Sequence, residues 1–314
     1  CQLWHVGRVA VGPCIGGRKP LGPSNIKVEM IQQFTPVGEV PCEEPVPMTL
    51  EDIQDTIADH LHAAKCAVAA GFNGVEIVSV QTVYLLEQFL NPNTNKGRND
   101  AYGGPIENRA RLTMDILRAT ISAIGADHVG IRFSPWNFFQ MPETHPNPTL
   151  DFTWILEQVD KLGLAYITLM HARTDILGPA AERSKLVYDA ARARRVPEDK
   201  LEDEISIRVF RPAVKRTPLS SSGHYDADNC IESIEKGELD GIVFVRPFIS
   251  NPHLAQRLTN NWPLAPWDRS TFYQGGSKGY IDYPDWDHDV KSNGIVASNK
   301  SAGVDYLQLV NFCG

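Results

Sequence analysis

Residues 72–135 read FNGVEIVSVQTVYLLEQFLNPNTNKGRNDAYGGPIENRARLTMDILRATISAIGADHVGIRFSP. Gly74–Val78, GVEIV, is a short β-branched run and predicts a buried strand. Residues 79–104 predict a long loop holding a short helix at about Leu85–Leu90. Pro105 suits the first turn of a helix that continues to about Ile124. Val129–Phe133 predicts the next strand. A strand followed by a crossover helix and a second strand is the unit of a parallel sheet.

The same alternation extends in both directions. Gln2–His5 predicts a strand, followed by a Gly- and Pro-rich excursion over 9–48 that reads as a lid. Thr49 is placed to cap a helix, with Asp52 three residues on as an acidic capping box. Leu50, Ile53, Ile57, Leu61, Ala64 and Val68 give that helix an apolar stripe, and Gly71 ends it. Downstream come a helix over Leu150–Leu162, a strand over Ala165–Leu169 and a charged, irregular stretch over 172–212. Short strands at Leu219–Ser222 and Gly241–Val245 flank a helix at about Asp228–Lys236. The strands number six, and residues 1–290 read as one barrel domain with a tail over 291–314.

Composition excludes several classes. The net charge of −8 offers no basic surface for nucleic acid or an anionic membrane. No apolar run is long enough to cross a bilayer, and no signal peptide is visible. The six cysteines form no CxxC pair and no zinc-like Cys/His spacing, so no metal site is expected. A reduced, cytoplasmic setting follows from that cysteine pattern.

Three segments carry a resemblance: QLWHVGR at 2–8, NKGRNDAYGGPIENRARL at 95–112 and RPFISNPHL at 246–254. Together they resemble the old yellow enzymes, flavin-dependent ene-reductases. The resemblance implies a TIM-barrel-like (β/α)8 fold with the active site at the C-terminal strand ends. Gln2–His5 matches the family's third strand, so the first two strand–helix units are expected to be absent from this chain. The resemblance also implies FMN. Gln2 would bond the flavin ring, Arg132 would stand beside it, and Gly223 and Arg246 would meet the phosphate, where a guanidinium fork pairs with phosphate oxygens.

Departures from the family pattern matter as much. His224 and Val245 stand where glycines usually let backbone approach the phosphate, so weak or absent FMN binding is expected. Val78 replaces the histidine of the family's carbonyl clamp, Gln81 takes the place of its partner, and one residue is inserted before Tyr84. Tyr84 keeps the place of the proton-donating tyrosine, and Tyr273 matches a second active-site tyrosine. His5 and His224 are candidate proton carriers. Loss of a clamp donor commonly costs about 3 kcal/mol of transition-state stabilisation. The leading expectation is therefore a non-redox isomerase, epimerase or cyclase acting on a small carbonyl-containing natural-product intermediate through Tyr84, Tyr273, Gln81 and His224. The alternatives are an FMN-dependent NAD(P)H ene-reductase and a non-catalytic remnant.

Overall fold

The structure, a computed structural model, describes residues 1–286 except 30, 33–34, 81–83, 137–144, 172–179, 224, 227–228 and 273–275. It comprises two compact units, Cys1–His224 and Tyr225–Gly314.

The first unit opens with β1 (Gln2–Leu3). Four two-residue strands follow within the Gly/Pro-rich excursion: β2 (Leu21–Gly22), β3 (Ile31–Gln32), β4 (Val40–Pro41) and β5 (Val46–Pro47). β2 pairs with β5 in parallel and β3 with β4 antiparallel. Each is too short to leave a periodicity in sequence. Helix α1 (Leu50–Ala69) begins at the expected cap. The Thr49 hydroxyl accepts from the Asp52 N–H at 3.1 Å, and the Asp52 carboxylate accepts from the Thr49 N–H at 2.7 Å. Gly71 follows the helix with φ +95°, a left-handed conformation that glycine adopts without steric cost.

The buried face of α1 overlaps the expected apolar stripe only in part. Ile53, Thr56, His60, Ala64 and Ala67 are buried, while Leu50 and Val68 are 55% and 42% exposed. The backbone satisfies the Thr56 hydroxyl and one ring nitrogen of His60, whose Nε2 is buried without a hydrogen-bond partner among the described residues. The Thr56 hydroxyl donates to the Asp52 carbonyl at 2.7 Å, and His60 Nδ1 lies 2.8 Å from the Thr56 carbonyl.

The remaining elements are β6 (Val75–Ser79), α2 (Leu85–Leu90), α3 (Ile106–Arg109), α4 (Arg111–Ile124), β7 (Val129–Phe133), α5 (Pro148–Asp160), β8 (Tyr166–Met170), α6 (Ala180–Ala193), α7 (Leu201–Glu204) and β9 (Leu219–Ser222). The single helix expected after Pro105 is two, joined at Ala110. β1, β6, β7, β8 and β9 lie side by side in that order, all parallel. Register alternation divides this sheet into two faces. One carries Val75, Ile77, Ile131, Phe133, Ile167, Leu169 and Leu219, all buried; Phe133 meets Phe152 of α5 edge-on, with centroids 5.9 Å apart. The other face is polar: Gln2 lies opposite Glu76, and Arg132, Thr168 and Ser220 follow one another across β7, β8 and β9. Gly130 lies opposite Tyr166, and a Cβ there would stand 2.4 Å from the Tyr166 ring. Only glycine lets that ring lie over the strand.

The second unit contains α8 (Glu232–Glu235), β10 (Gly241–Val243), α9 (Arg246–Ser250) and α10 (Leu254–Thr259). Leu254 and Leu258 form its core with Ile231, Phe244 and Leu264. The buried Arg257 guanidinium donates to the carbonyls of Pro252, Pro263 and Pro284. Among the described residues, no helix is long and apolar enough to cross a membrane. Among the described residues, Cys1, Cys14, Cys42 and Cys66 are free thiols.

Candidate active site

The polar face of the first sheet holds a chain of side chains running across three strands. Gln2 Nε2 donates to a Glu76 carboxylate oxygen at 2.5 Å. The same oxygen lies 3.2 Å from Arg132 Nε, with the two side chains 8% and 15% exposed. That Nε–H is buried without an aligned hydrogen-bond acceptor. Beside this chain, the Thr168 and Ser220 hydroxyls are 2.8 Å apart. Sequence reasoning brought Gln2 and Arg132 to this site and missed Glu76. The available signal was a lone acid inside an otherwise apolar strand, since a buried carboxylate needs a partner.

Val78 sits directly opposite Arg132 in register and is 7% exposed. It presents no donor at the position of the expected clamp histidine. Tyr84 is the N-cap residue of α2, partly buried. Its ring packs against the cluster of Val9, Val11, Val28 and Cys42, and it meets Trp4 edge-on with centroids 4.7 Å apart. Trp4 is 53% exposed and was not singled out from sequence; its alternation with Gln2 along one strand was the legible clue.

His5 is placed differently from the other candidates. Its Nδ1 accepts from the Gly7 N–H at 3.0 Å, which leaves the ring proton on Nε2. Its pKa is lowered, first by burial and then by His60, while Asp59 opposes; both residues belong to α1. The His5 carbonyl accepts from the Leu85 N–H at 2.9 Å, which ties its backbone to the start of α2. Gln81, His224 and Tyr273 lie outside the described residues.

At the end of β9, Gly223 has φ +88°, a conformation that favours glycine. In the second unit, Arg246 opens α9, with its guanidinium 5.3 Å from the Trp267 ring centroid. Val245 is 54% exposed. Among the described residues, no three His, Cys, Asp or Glu side chains are grouped to hold a metal ion.

The α2 helix that carries Tyr84 is anchored by a buried polar cluster. Arg109 donates to the Leu90 carbonyl, to Gly104 at 2.9 Å and to Asp151 at 2.6 Å. His145 Nε2 lies 3.3 Å from the same Asp151 oxygen. Burial and the cations Arg109 and Arg194 push the His145 pKa down to about 3. Glu87 is fully buried, and burial raises its carboxyl well above the usual range although Arg109 opposes. At the other face of α2, the Gln88 side chain accepts from the Arg8 N–H at 3.3 Å.

A parallel α/β sheet with one polar face is the framework on which strand-end enzyme sites are built. The family model of the NADH:flavin oxidoreductase / NADH oxidase family matches residues 1–265, and the chain belongs to that family, the old yellow enzymes. It is 37% identical over 293 residues to flavin oxidoreductase hxnT of Emericella nidulans, covering 90% of this chain and 72% of that protein. It is 38% identical over 291 residues to chanoclavine-I aldehyde reductase fgaOx3 of Penicillium roqueforti, covering 90% and 69%. Among solved structures, morphinone reductase in complex with tetrahydroNAD superposes with a TM-score of 0.74 at 32% identity, covering 90% of this chain and 71% of that one. The old yellow enzyme homologue from Zymomonas mobilis gives 0.75 at 29% identity. The fold is therefore the TIM-barrel-type α/β fold of that family.

The residues present fit the ring end of a flavin. Arg132 offers a buried Nε–H with no aligned acceptor among the described residues, and the exposed Gln2 amide retains its oxygen as an acceptor.

Proposed function

We propose that this chain is an FMN-dependent NAD(P)H oxidoreductase that reduces an activated C=C bond in a small carbonyl compound. The observation that carries the reading is the Gln2–Glu76–Arg132 chain on the polar sheet face, with its unsatisfied Arg132 N–H. The names of the relatives, flavin oxidoreductase and aldehyde reductase, support a reductive reaction over the isomerase expected from sequence.

Bound FMN would supply two-electron hydride chemistry between the nicotinamide and the substrate. The chain's own residues do the rest. Gln2 and Arg132 would hold the ring, one by an amide and the other by charge. Gly223, with its left-handed backbone at the end of β9, would leave room for the phosphate end. Trp4 would wall the substrate pocket beside Tyr84. A tyrosine hydroxyl, with its ordinary pKa near 10, is an acid at neutral pH, so Tyr84 would deliver the proton that completes reduction. Val78 cannot grip a carbonyl, and absence of one such donor is commonly worth about 3 kcal/mol. This chain would therefore be slow on simple enones and depend on other contacts to orient its substrate.

That same valine favours a second reading, proton transfer or cyclisation on a carbonyl natural-product intermediate without redox. The two separate cleanly. Turnover of an enone or enal panel is measured with and without NADPH, in parent and in Tyr84→Phe. Reduction that requires NADPH supports the proposal. Conversion of a carbonyl substrate to an isomer with neither NADPH nor FMN supports the second reading and rejects the first.

A further inference from the structure

We propose that Glu76 is a positioning residue for the flavin-ring site, orienting the Gln2 amide and balancing the charge of Arg132. The inference rests on the FMN reading above.

Glu76 is 6% exposed, and both its partners come from neighbouring strands. Gln2 of β1 lies directly opposite it in register. Arg132 of β7 lies opposite Val78, the next residue of β6 on the same face. The carboxylate therefore stands between the two side chains that the resemblance assigns to the ring. Among the described strand residues of this face, Glu76 and Arg132 are the two charges; Tyr166, Thr168, Ser220 and Ser222 are neutral.

Two consequences follow. The first is orientation. An amide can present either end, but a carboxylate only accepts. Donation from Gln2 Nε2 to Glu76 at 2.5 Å commits the nitrogen inward and leaves the oxygen to accept from a ligand N–H. A glutamine at 76 can donate as well as accept, so that preference disappears. The second is charge. Glu76 and Arg132 at 3.2 Å form a near-neutral pair. Removing the carboxylate's charge leaves a buried cation beside the ring, and a cation favours the more negative, reduced flavin. A carboxylate with a structural role alone would change stability but not the relative affinity for the two oxidation states.

The test uses Glu76→Gln and Glu76→Asp, with folding checked by circular dichroism. FMN affinity is read by fluorescence titration and the midpoint potential by equilibration with a reference dye. For Glu76→Gln we expect FMN affinity to fall about tenfold. The preference for reduced over oxidised flavin should rise at least about tenfold, which is a shift of about 30 mV to more positive potential. Glu76→Asp should keep the parental potential while binding FMN about tenfold more weakly, because the shorter side chain withdraws from Gln2. A Glu76→Gln variant with parental affinity and potential overturns the inference and leaves the functional reading standing. Should Glu76→Gln not fold, Glu76→Asp decides: unchanged FMN affinity overturns the inference, and a weaker one at constant potential supports it. A parent that takes up no FMN rejects the functional reading and this inference with it.

Discussion

Asp151→Asn probes the cluster that anchors α2 beneath Tyr84. Arg109 and Asp151 are 8% and 11% exposed, with their charged atoms 2.6 Å apart. Removing one partner of a buried pair typically costs about 3–5 kcal/mol, because the other charge stays buried uncompensated. Arg109 keeps two carbonyl acceptors, Leu90 and Gly104, which places the expected loss near the lower end, about 3 kcal/mol. For a domain of this size each 1 kcal/mol moves the midpoint by about 2–4 °C, so the variant should melt about 6–12 °C below the parent. Glu87 sharpens the test. Burial raises its carboxyl well above the usual range, which favours the neutral form, so Glu87→Gln alone is expected to cost little. Once Asp151 is neutral, Glu87, whose carboxyl feels the charge of Arg109, can ionise to balance it. The double variant should therefore melt below Asp151→Asn by more than the effect of Glu87→Gln alone. Thermal melts followed by circular dichroism at pH 7.5 decide the matter. An Asp151→Asn midpoint within 2 °C of the parent (a loss of under about 1 kcal/mol), or Glu87→Gln as damaging as Asp151→Asn, would refute the reasoning.

Further outcomes are expected elsewhere. His145 titrates at about 3 in the fold against 6.5 unfolded, so between those values the unfolded chain binds the extra proton and stability is lost as pH falls. The loss reaches about 2 kcal/mol at pH 5; Glu87, raised in the fold, acts with the opposite sign, and comparison of His145→Gln with the parent across pH 5–8 isolates the histidine. Gly130→Ala forces a methyl into the Tyr166 ring and should cost about 1–3 kcal/mol in urea unfolding; a parental midpoint would contradict the packing. Val78→His restores a donor on the polar face and should raise kcat/KM for an enone by about 10-fold or more. An unchanged or lower value would show that the clamp position is not at Val78.

Much of the fold was legible because its signals are local. Leu85–Leu90 and Val129–Phe133 stand where apolar runs and turn residues place them. The Thr49 cap and its reciprocal Asp52 lie within one turn of each other and need nothing else to form. The α1 face was legible at Ile53 and Ala64 but not at Thr56 and His60, which look polar in sequence and are buried with hydrogen bonds to the preceding turn. Glu76 stands out in sequence as a lone acid in an apolar strand, but its role does not. Its partners Gln2 and Arg132 are remote in sequence, and only the strand register brings them together. The break between α3 and α4 has the same origin: Arg109 is drawn to Leu90, Gly104 and Asp151 by contacts that no local pattern encodes.

The central claim is that this chain holds FMN at the polar sheet face and uses it with NAD(P)H. The most direct measurement is the visible absorption spectrum of the purified protein reconstituted with FMN, before and after anaerobic addition of NADPH. The account predicts stoichiometric flavin, bleached by NADPH and restored by an enone or enal. Protein that remains colourless after reconstitution, or bound flavin that NADPH does not bleach, would contradict it.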